Sequence, residues 1–166
     1  MRWERPTASQ RSIVMDGDDF SSFLRPRQDS QIRFPRNAVM RKEIVEVRRL
    51  DDLFEECLSG VPSPRIFLKI DTQGFDVEVL KGAAGSLPRI LALQAEVSFR
   101  PIFDGMPEVS ETLREARIRG FDVVDLIPVT RERDGLCVIE MDCIMARRMQ
   151  EPALRRSGPS DRIAVS

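Results

Sequence analysis

Ile66-Phe-Leu-Lys-Ile-Asp-Thr-Gln-Gly-Phe-Asp-Val-Glu-Val-Leu80 is the stretch on which the fold turns. Its first five residues are apolar apart from Lys69, and runs of this kind usually lie buried on both faces of a parallel sheet. The run ends in the turn Asp71-Thr-Gln-Gly74. The spacing of Phe75, Val79 and Leu80 then predicts a short helix with those side chains inward. A strand, a polar turn and a helix in that order open a β-α-β unit.

Working outward, Ile90 to Val97 is a second apolar strand with Glu96 near its end, expected to lie parallel to the first. Upstream, the β-branched Ile44, Val45 and Val47 predict a short strand ending at Leu50. Asp51 and Asp52 follow as helix N-terminal residues. Asp52 and Glu55 have capping-box spacing, and Leu53, Phe54, Cys57 and Leu58 form an apolar face. Gly60, Pro62 and Pro64 stop that helix. Downstream, Pro107 to Arg119 predicts a helix with Pro107 in its first turn, Val109, Leu113 and Ala116 on one face, and Gly120 at its end. Phe121–Ile127 and Leu136–Met145 are two further strands, and Asp134-Gly135 between them is a hairpin signal that makes them antiparallel neighbours.

These elements specify an α/β domain over residues 43–150. Residues 1–42 carry Pro6, Pro26 and Pro35 among arginines and are expected to be an irregular arm. Residues 151–166 are polar, with Gly158 and Pro159, and are expected to be a disordered tail. Asp16-Gly-Asp-Asp19 lacks the spacing of a calcium loop and is assigned to a turn.

Composition excludes several function classes. Against 26 basic side chains stand 27 acidic ones, a net charge of −1, which argues against a general nucleic-acid binder. The arginine clusters at Arg147, Arg148, Arg155 and Arg156 are assigned to a solvated tail. No apolar stretch approaches the roughly 18 to 20 residues that cross a bilayer, and Met1 to Arg11 has no signal-like apolar region. Cys57, Cys137 and Cys143 are an odd set with no metal-type spacing; they are expected to be small core residues in a reducing compartment, with the cytoplasm as the location. The chain contains no histidine and no tyrosine. Histidine-based nucleophile systems and imidazole metal sites are therefore excluded, and no metal is expected. Proton transfer falls to Asp, Glu, Lys or Cys.

In open α/β sheets ligands bind beyond the carboxyl ends of parallel strands. Asp71 and Glu96 fall at two such ends, with Gln73 and Gly74 in the turn beside Asp71. Local pattern leaves two roles open for each. Asp71 is a ligand-facing carboxylate or the cap of the following helix; Glu96 is a site residue or the ion-pair partner of Arg100. Gly74 offers a backbone N–H that could approach a ligand closely, or it merely permits the turn. Lys69 either has a catalytic role or simply extends from its apolar strand to pair with a carboxylate.

Phe67-Leu-Lys-Ile-Asp-Thr-Gln-Gly-Phe-Asp-Val-Glu-Val-Leu-Lys-Gly-Ala83 resembles the most recognisable block of the FkbM family of S-adenosylmethionine-dependent methyltransferases, an LKID turn leading into a VLKGA helix. Further blocks resemble that family in the same order. They are Phe20-Ser-Ser-Phe-Leu24, Val47-Arg-Arg-Leu-Asp-Asp-Leu53, Leu93-Gln-Ala-Glu-Val-Ser98, Pro101-Ile-Phe-Asp-Gly105, Gly120-Phe121 and Met141-Asp-Cys-Ile144. The resemblance implies the second half of a doubly wound, Rossmann-like sheet closed by the antiparallel hairpin. It also implies methyl transfer from S-adenosyl-L-methionine to a hydroxyl of a sugar, glycolipid or polyketide. Asp71, Gln73 and Glu96 would be the catalytic group, and Asp71 and Gly74 would touch the cofactor.

The family's glycine-rich cofactor turn and the ribose-binding carboxylate that follows it do not occur in this sequence. The expectation is accordingly a partial domain that binds the cofactor weakly or not at all by itself. Its Ile66–Ile70 strand, lacking its inner neighbour, would present an edge for self-association, unless the arm around Ile44–Val47 covers it. The alternative reading is a non-catalytic α/β binding module that pairs with a partner chain.

Overall fold

The computed structural model describes residues 8–15, 21–33, 39–132 and 134–148. Two sheets are present among the described residues. β1 (Ala8–Met15) and β2 (Val39–Val47) form an antiparallel ribbon, with Ala8 opposite Val47. The described part of the arm is thus not irregular: β2 begins ahead of the Ile44-to-Leu50 run and finds its partner within the arm itself. β2 pairs with β1 and not with the Ile66–Ile70 strand, so the ribbon does not extend the main sheet. The short helix α1 (Gln28–Arg33) lies between the two ribbon strands in sequence. The Asp16–Asp19 cluster and the tail from 149 onward lie outside the described residues.

The main sheet has four strands, β3 (Ile66–Ile70), β4 (Ile90–Ser98), β5 (Phe121–Arg131) and β6 (Val138–Arg147), in the order β3-β4-β6-β5. β3 and β4 are parallel, with Ile70 beside Ala95, and β6 runs antiparallel to both β4 and β5. The expected parallel pair and terminal hairpin are both present. The hairpin strands are longer than the apolar runs suggested, because cross-strand hydrogen bonds continue through Pro128–Arg131 and Ala146–Arg147.

Three helices supply the core: α2 (Leu50–Cys57), α3 (Asp76–Gly82) and α4 (Val109–Ile118). Phe54, Leu80 and Ala116 from these helices, with Ala83 just after α3, pack with Ile70, Leu93, Ala95, Val97, Cys143 and Met145 in one buried cluster. Those strand residues alternate along their strands, so they share one face of the sheet. The other face carries Lys69, Gln94, Glu96, Glu140 and Asp142. This alternation corrects the expectation for β3: Phe67 is 53% exposed, so the strand is buried on one face only.

Several local expectations also change. Arg49, not Asp52, occupies the N-cap of α2, with no side-chain cap bond. Asp51 instead ties α2 to the turn after α3, accepting from Ser86 N at 2.9 Å, Ser86 Oγ at 2.8 Å and Gly85 N at 3.2 Å. Burial alone would raise the Asp51 carboxyl, but these bonds and Arg49 outweigh it and hold it below the ordinary value. Pro107 precedes α4, whose N-cap is Glu108. Cys57 and Cys137 are exposed, and only Cys143 is a core residue. Arg147 belongs to the fold rather than to a solvated tail: its guanidinium lies 4.5 Å above the Phe121 ring and donates to Ile90 O at 2.9 Å. Arg148 pairs with Asp122 at 2.8 Å.

Candidate functional site

The site begins at the carboxyl end of β3. The register that sets Ile70 beside Ala95 brings Asp71 next to Glu96 on the neighbouring strand. Gln73 joins them. Its Nε2 donates to Glu96 Oε2 at 2.9 Å and lies 3.4 Å from Asp71 Oδ1. The three residues singled out in the sequence therefore converge at one end of the sheet.

Gln73 reaches this position through an unusual backbone. Its φ is +48°, in the left-handed region that non-glycine residues seldom occupy. Ser22 holds it there: the buried Ser22 Oγ donates to Gln73 O at 2.8 Å and accepts from Leu24 N at 3.1 Å. The ring of Phe23 packs on that of Phe75, centroid to centroid 5.1 Å. The same loop is pinned further along, where Arg27 N donates to Ile102 O, Asp104 N donates to Arg25 O, and Ser30 Oγ donates to Ile102 O. The serine-rich loop thus clamps two turns, one after β3 and one after β4.

Asp71 is exposed and is not a helix cap. Its Oδ2 accepts from Lys69 Nζ at 3.0 Å, so Lys69 takes the carboxylate-pairing role open to it. That bond raises the Lys69 ammonium above its ordinary range. The cap of α3 is Phe75, and the turn is closed by Asp76, whose carboxylate accepts from Thr72 N at 3.1 Å and from the Thr72 hydroxyl. Glu96 does not pair with Arg100, which sits 3.2 Å from Glu132 instead.

Gly74 has φ +90° and is buried. A Cβ there would lie 2.9 Å from Met106 Cγ and 3.1 Å from Leu24 Cδ1. The space beside its backbone is taken by this chain's own side chains, which accounts for the glycine by packing.

Two carboxylates that the sequence reading passed over complete the site. Asp142 on β6 stands directly opposite Glu96, and Glu140 stands opposite Ser98. The Ser98 hydroxyl donates to Glu140 Oε1 at 3.1 Å. Their places beside β4 come from the β4–β6 ladder, which no hairpin turn sets and no local pattern announces. The electrostatic result is large. Burial, then the charges of Glu140 and Asp71, push the Glu96 carboxyl up to about 8, against the opposing Gln73 bond. Burial also raises Glu140, against bonds from Thr130 and Ser98. Near neutrality Glu96 therefore carries a proton much of the time, while the exposed Asp71 is the group reachable from solvent. Burial pushes the Cys143 thiol up to about 11, which removes it as a nucleophile. Among the described residues no group of three or more His, Cys, Asp or Glu could hold a metal ion.

Beside the site, a groove of about 840 Å³ runs between the ribbon, α2 and α3, past Thr72, Phe75, Phe23, Leu50 and Glu78. Asp71, Gln73 and Glu96 do not line it. No helix among the described residues is long and apolar enough to cross a membrane.

A family model described as the methyltransferase FkbM domain matches residues 7–123 of the chain. That span begins inside the arm and takes in the ribbon, the serine-rich loop and the turn that carries Asp71. No curated protein and no solved structure matches.

Proposed function

The chain belongs to the FkbM methyltransferase family, and from that premise we propose that it serves in methyl transfer from S-adenosyl-L-methionine to a hydroxyl of a sugar, glycolipid or polyketide acceptor. The observation that carries the reading is the Gln73 carboxamide, which joins Asp71 and Glu96 at the carboxyl ends of two parallel strands.

The cofactor supplies a methyl group activated by a positively charged sulfur. The work left to these residues is to present the acceptor oxygen and take up its proton. Asp71 is exposed and has two acceptor oxygens, so it can orient a hydroxyl and receive the proton. Gln73 restrains Asp71 and Glu96 together, and positioning of this kind accounts for much of the rate in such reactions. Glu96 is half-buried and holds its proton near neutrality, so the exposed Asp71 is the carboxylate placed to meet the acceptor.

The residues present fit one side of the cofactor. The groove beside Thr72 offers the Phe23 and Phe75 rings for an aromatic base and the carboxylates of Glu46, Asp52 and Glu78 for hydroxyls. Gly74, filled in by Met106 and Leu24, offers no open approach. In a complete enzyme containing this segment, Asp71→Asn should cut turnover far more than it lowers stability. Turnover equal to the parent would remove Asp71 from the chemistry.

A second reading, a binding module completed by a partner chain, is favoured by the free edge of β3, which pairs only with β4 among the described strands. Co-elution of the chain with a separately made partner, without methyl transfer by the pair, would support it.

A further inference from the structure

A second, smaller cleft lies beyond the carboxyl end of β4. It measures about 280 Å³ and is lined by Arg27, Asp29, Phe99, Arg100 and Pro101. That is near the lower end of the ~300–1,000 Å³ of small-molecule pockets, the scale of a single ring. Its walls are two chain segments, 27–29 and 99–101, and they are fixed to each other. Arg27 N donates to Ile102 O at 2.9 Å, and the buried Ser30 hydroxyl donates at 2.8 Å to both Arg27 O and Ile102 O. Walls held this way need little ordering when a ligand arrives.

The same two segments flank the Asp71–Gln73–Glu96 group. The serine-rich loop bonds Gln73 O through Ser22 and reaches the cleft at Arg27. β4 carries Glu96 and leads directly into Phe99 and Arg100. From Glu96 to Arg100 is four residues, at most about 13 Å of extended chain. A ligand held at Asp71 therefore reaches the cleft if it extends by a second ring.

The lining chemistry narrows the class of that ring. Phe99 is 52% exposed, a large apolar surface left uncovered, and Pro101 flanks it. Around this platform stand both donors and acceptors. Arg27 uses its Nε–H on Asp29 at 3.0 Å, and a guanidinium has five N–H groups, so others remain for a ligand. Arg100 sits 3.2 Å from Glu132 and is about half exposed. A hydrocarbon chain here would desolvate these polar groups without replacing their bonds. A simple anion would compete with Asp29 and Glu132 for the same two guanidiniums. A pyranose ring offers what the cleft asks for, an apolar C–H face for Phe99 and a rim of hydroxyls that both donate and accept.

We propose that this cleft is a saccharide subsite, with Phe99 as its stacking platform, and that the acceptor is a short glycan with one ring at Asp71 and the next on Phe99. This deepens the proposed methyl transfer and rests on it for the word acceptor; saccharide binding in the cleft does not depend on it. Sugar binding at Phe99 by a complete enzyme that methylates nothing would fail the methyl-transfer reading alone. Methylation of acyclic hydroxyls without any sugar binding would fail only the subsite.

The test uses the full chain with carbon-13-labelled phenylalanine rings, the Phe99 signal being identified by its absence in Phe99→Leu. The probes are maltose, lactose and methyl mannoside, with hexane-1,6-diol and inorganic phosphate as counterparts. At least one saccharide should shift the Phe99 signal saturably in the millimolar range, and the diol and phosphate should not. In ligand-observed titrations Phe99→Ala should weaken that saccharide about fivefold to tenfold, the worth of one ring contact, and Phe99→Trp should restore it. Phe99→Leu, which keeps the apolar bulk without the ring, serves if the alanine variant does not fold. No shift with any of the three saccharides would overturn the proposal. An equal shift with the diol would reduce the cleft to a general apolar surface, and saturation by phosphate alone would make it an anion site; either result overturns the saccharide assignment. Unchanged affinity in Phe99→Ala would overturn the role of Phe99.

Discussion

Replacing Glu96 with glutamine should make the protein more stable in alkali while leaving it nearly unchanged in mild acid. The carboxyl is ordinarily half-ionised at 4.5, but burial and the neighbouring carboxylates raise it to about 8 in the folded chain. The folded state therefore holds this proton more tightly than the unfolded state does. Stability from this group is fully present below about 4.5 and is lost as pH rises through about 8. Each pH unit of that gap is worth ~1.4 kcal/mol, which sets a ceiling of ~5 kcal/mol. Glu96 keeps partial contact with water, and solvent screening brings the expected loss to about 2 kcal/mol. Glutamine has nearly the same shape, accepts the same Gln73 bond through its oxygen, and does not titrate. Urea unfolding followed by circular dichroism at intervals from pH 5 to pH 9 measures the difference. The parent should lose about 2 kcal/mol relative to Glu96→Gln across that range, most of it before pH 8. Glu140 and Asp76 are also raised by burial, but they contribute to both proteins and largely cancel in the comparison. Parallel curves for parent and variant would refute the electrostatic reading of the site.

Ser22→Ala should cost about 1–2 kcal/mol in urea unfolding, because it deletes a buried hydroxyl bonded to Gln73 O. Its more specific effect should be a lower Glu96 midpoint in a carboxyl titration, since a looser Gln73 turn admits water. Gly74→Ala should lower stability by about 1–3 kcal/mol, because the new methyl group meets Met106 at 2.9 Å in a backbone conformation with φ +90°. Calorimetric titration with S-adenosylmethionine should show no saturable binding at micromolar concentrations, because groups on one side of a ligand forfeit most of the burial that gives pockets their affinity. Size-exclusion chromatography should show self-association through the free β3 edge, and a clean monomer would mean that the edge is covered.

The parallel pair, the terminal hairpin and the three core helices were legible in the sequence, because apolar periodicity and turn residues are local signals that survive in one dimension. Asp71, Gln73 and Glu96 were legible for a related reason: strand ends are visible, and ligand sites in α/β sheets form there. The ribbon in the arm was not legible. β1 pairs with a strand more than twenty residues away, and its run of Ser9, Gln10, Arg11 and Ser12 has no apolar alternation to announce it. Only pairing satisfies the backbone groups of such a segment, and pairing is a tertiary fact.

The residue types that can do chemistry were settled by the sequence itself. Without histidine or tyrosine, proton transfer was left to Asp, Glu, Lys or Cys. Which of them act together was decided only in three dimensions. The ladder that sets Asp142 opposite Glu96, and the loop that holds Gln73 at φ +48° through Ser22, join residues 46 and 51 positions apart. Charge repulsion, burial and a forced backbone angle all depend on distance in space. A carboxyl that keeps its proton to about pH 8 therefore has no signature in the letters around Glu96, because its cause lies on other strands.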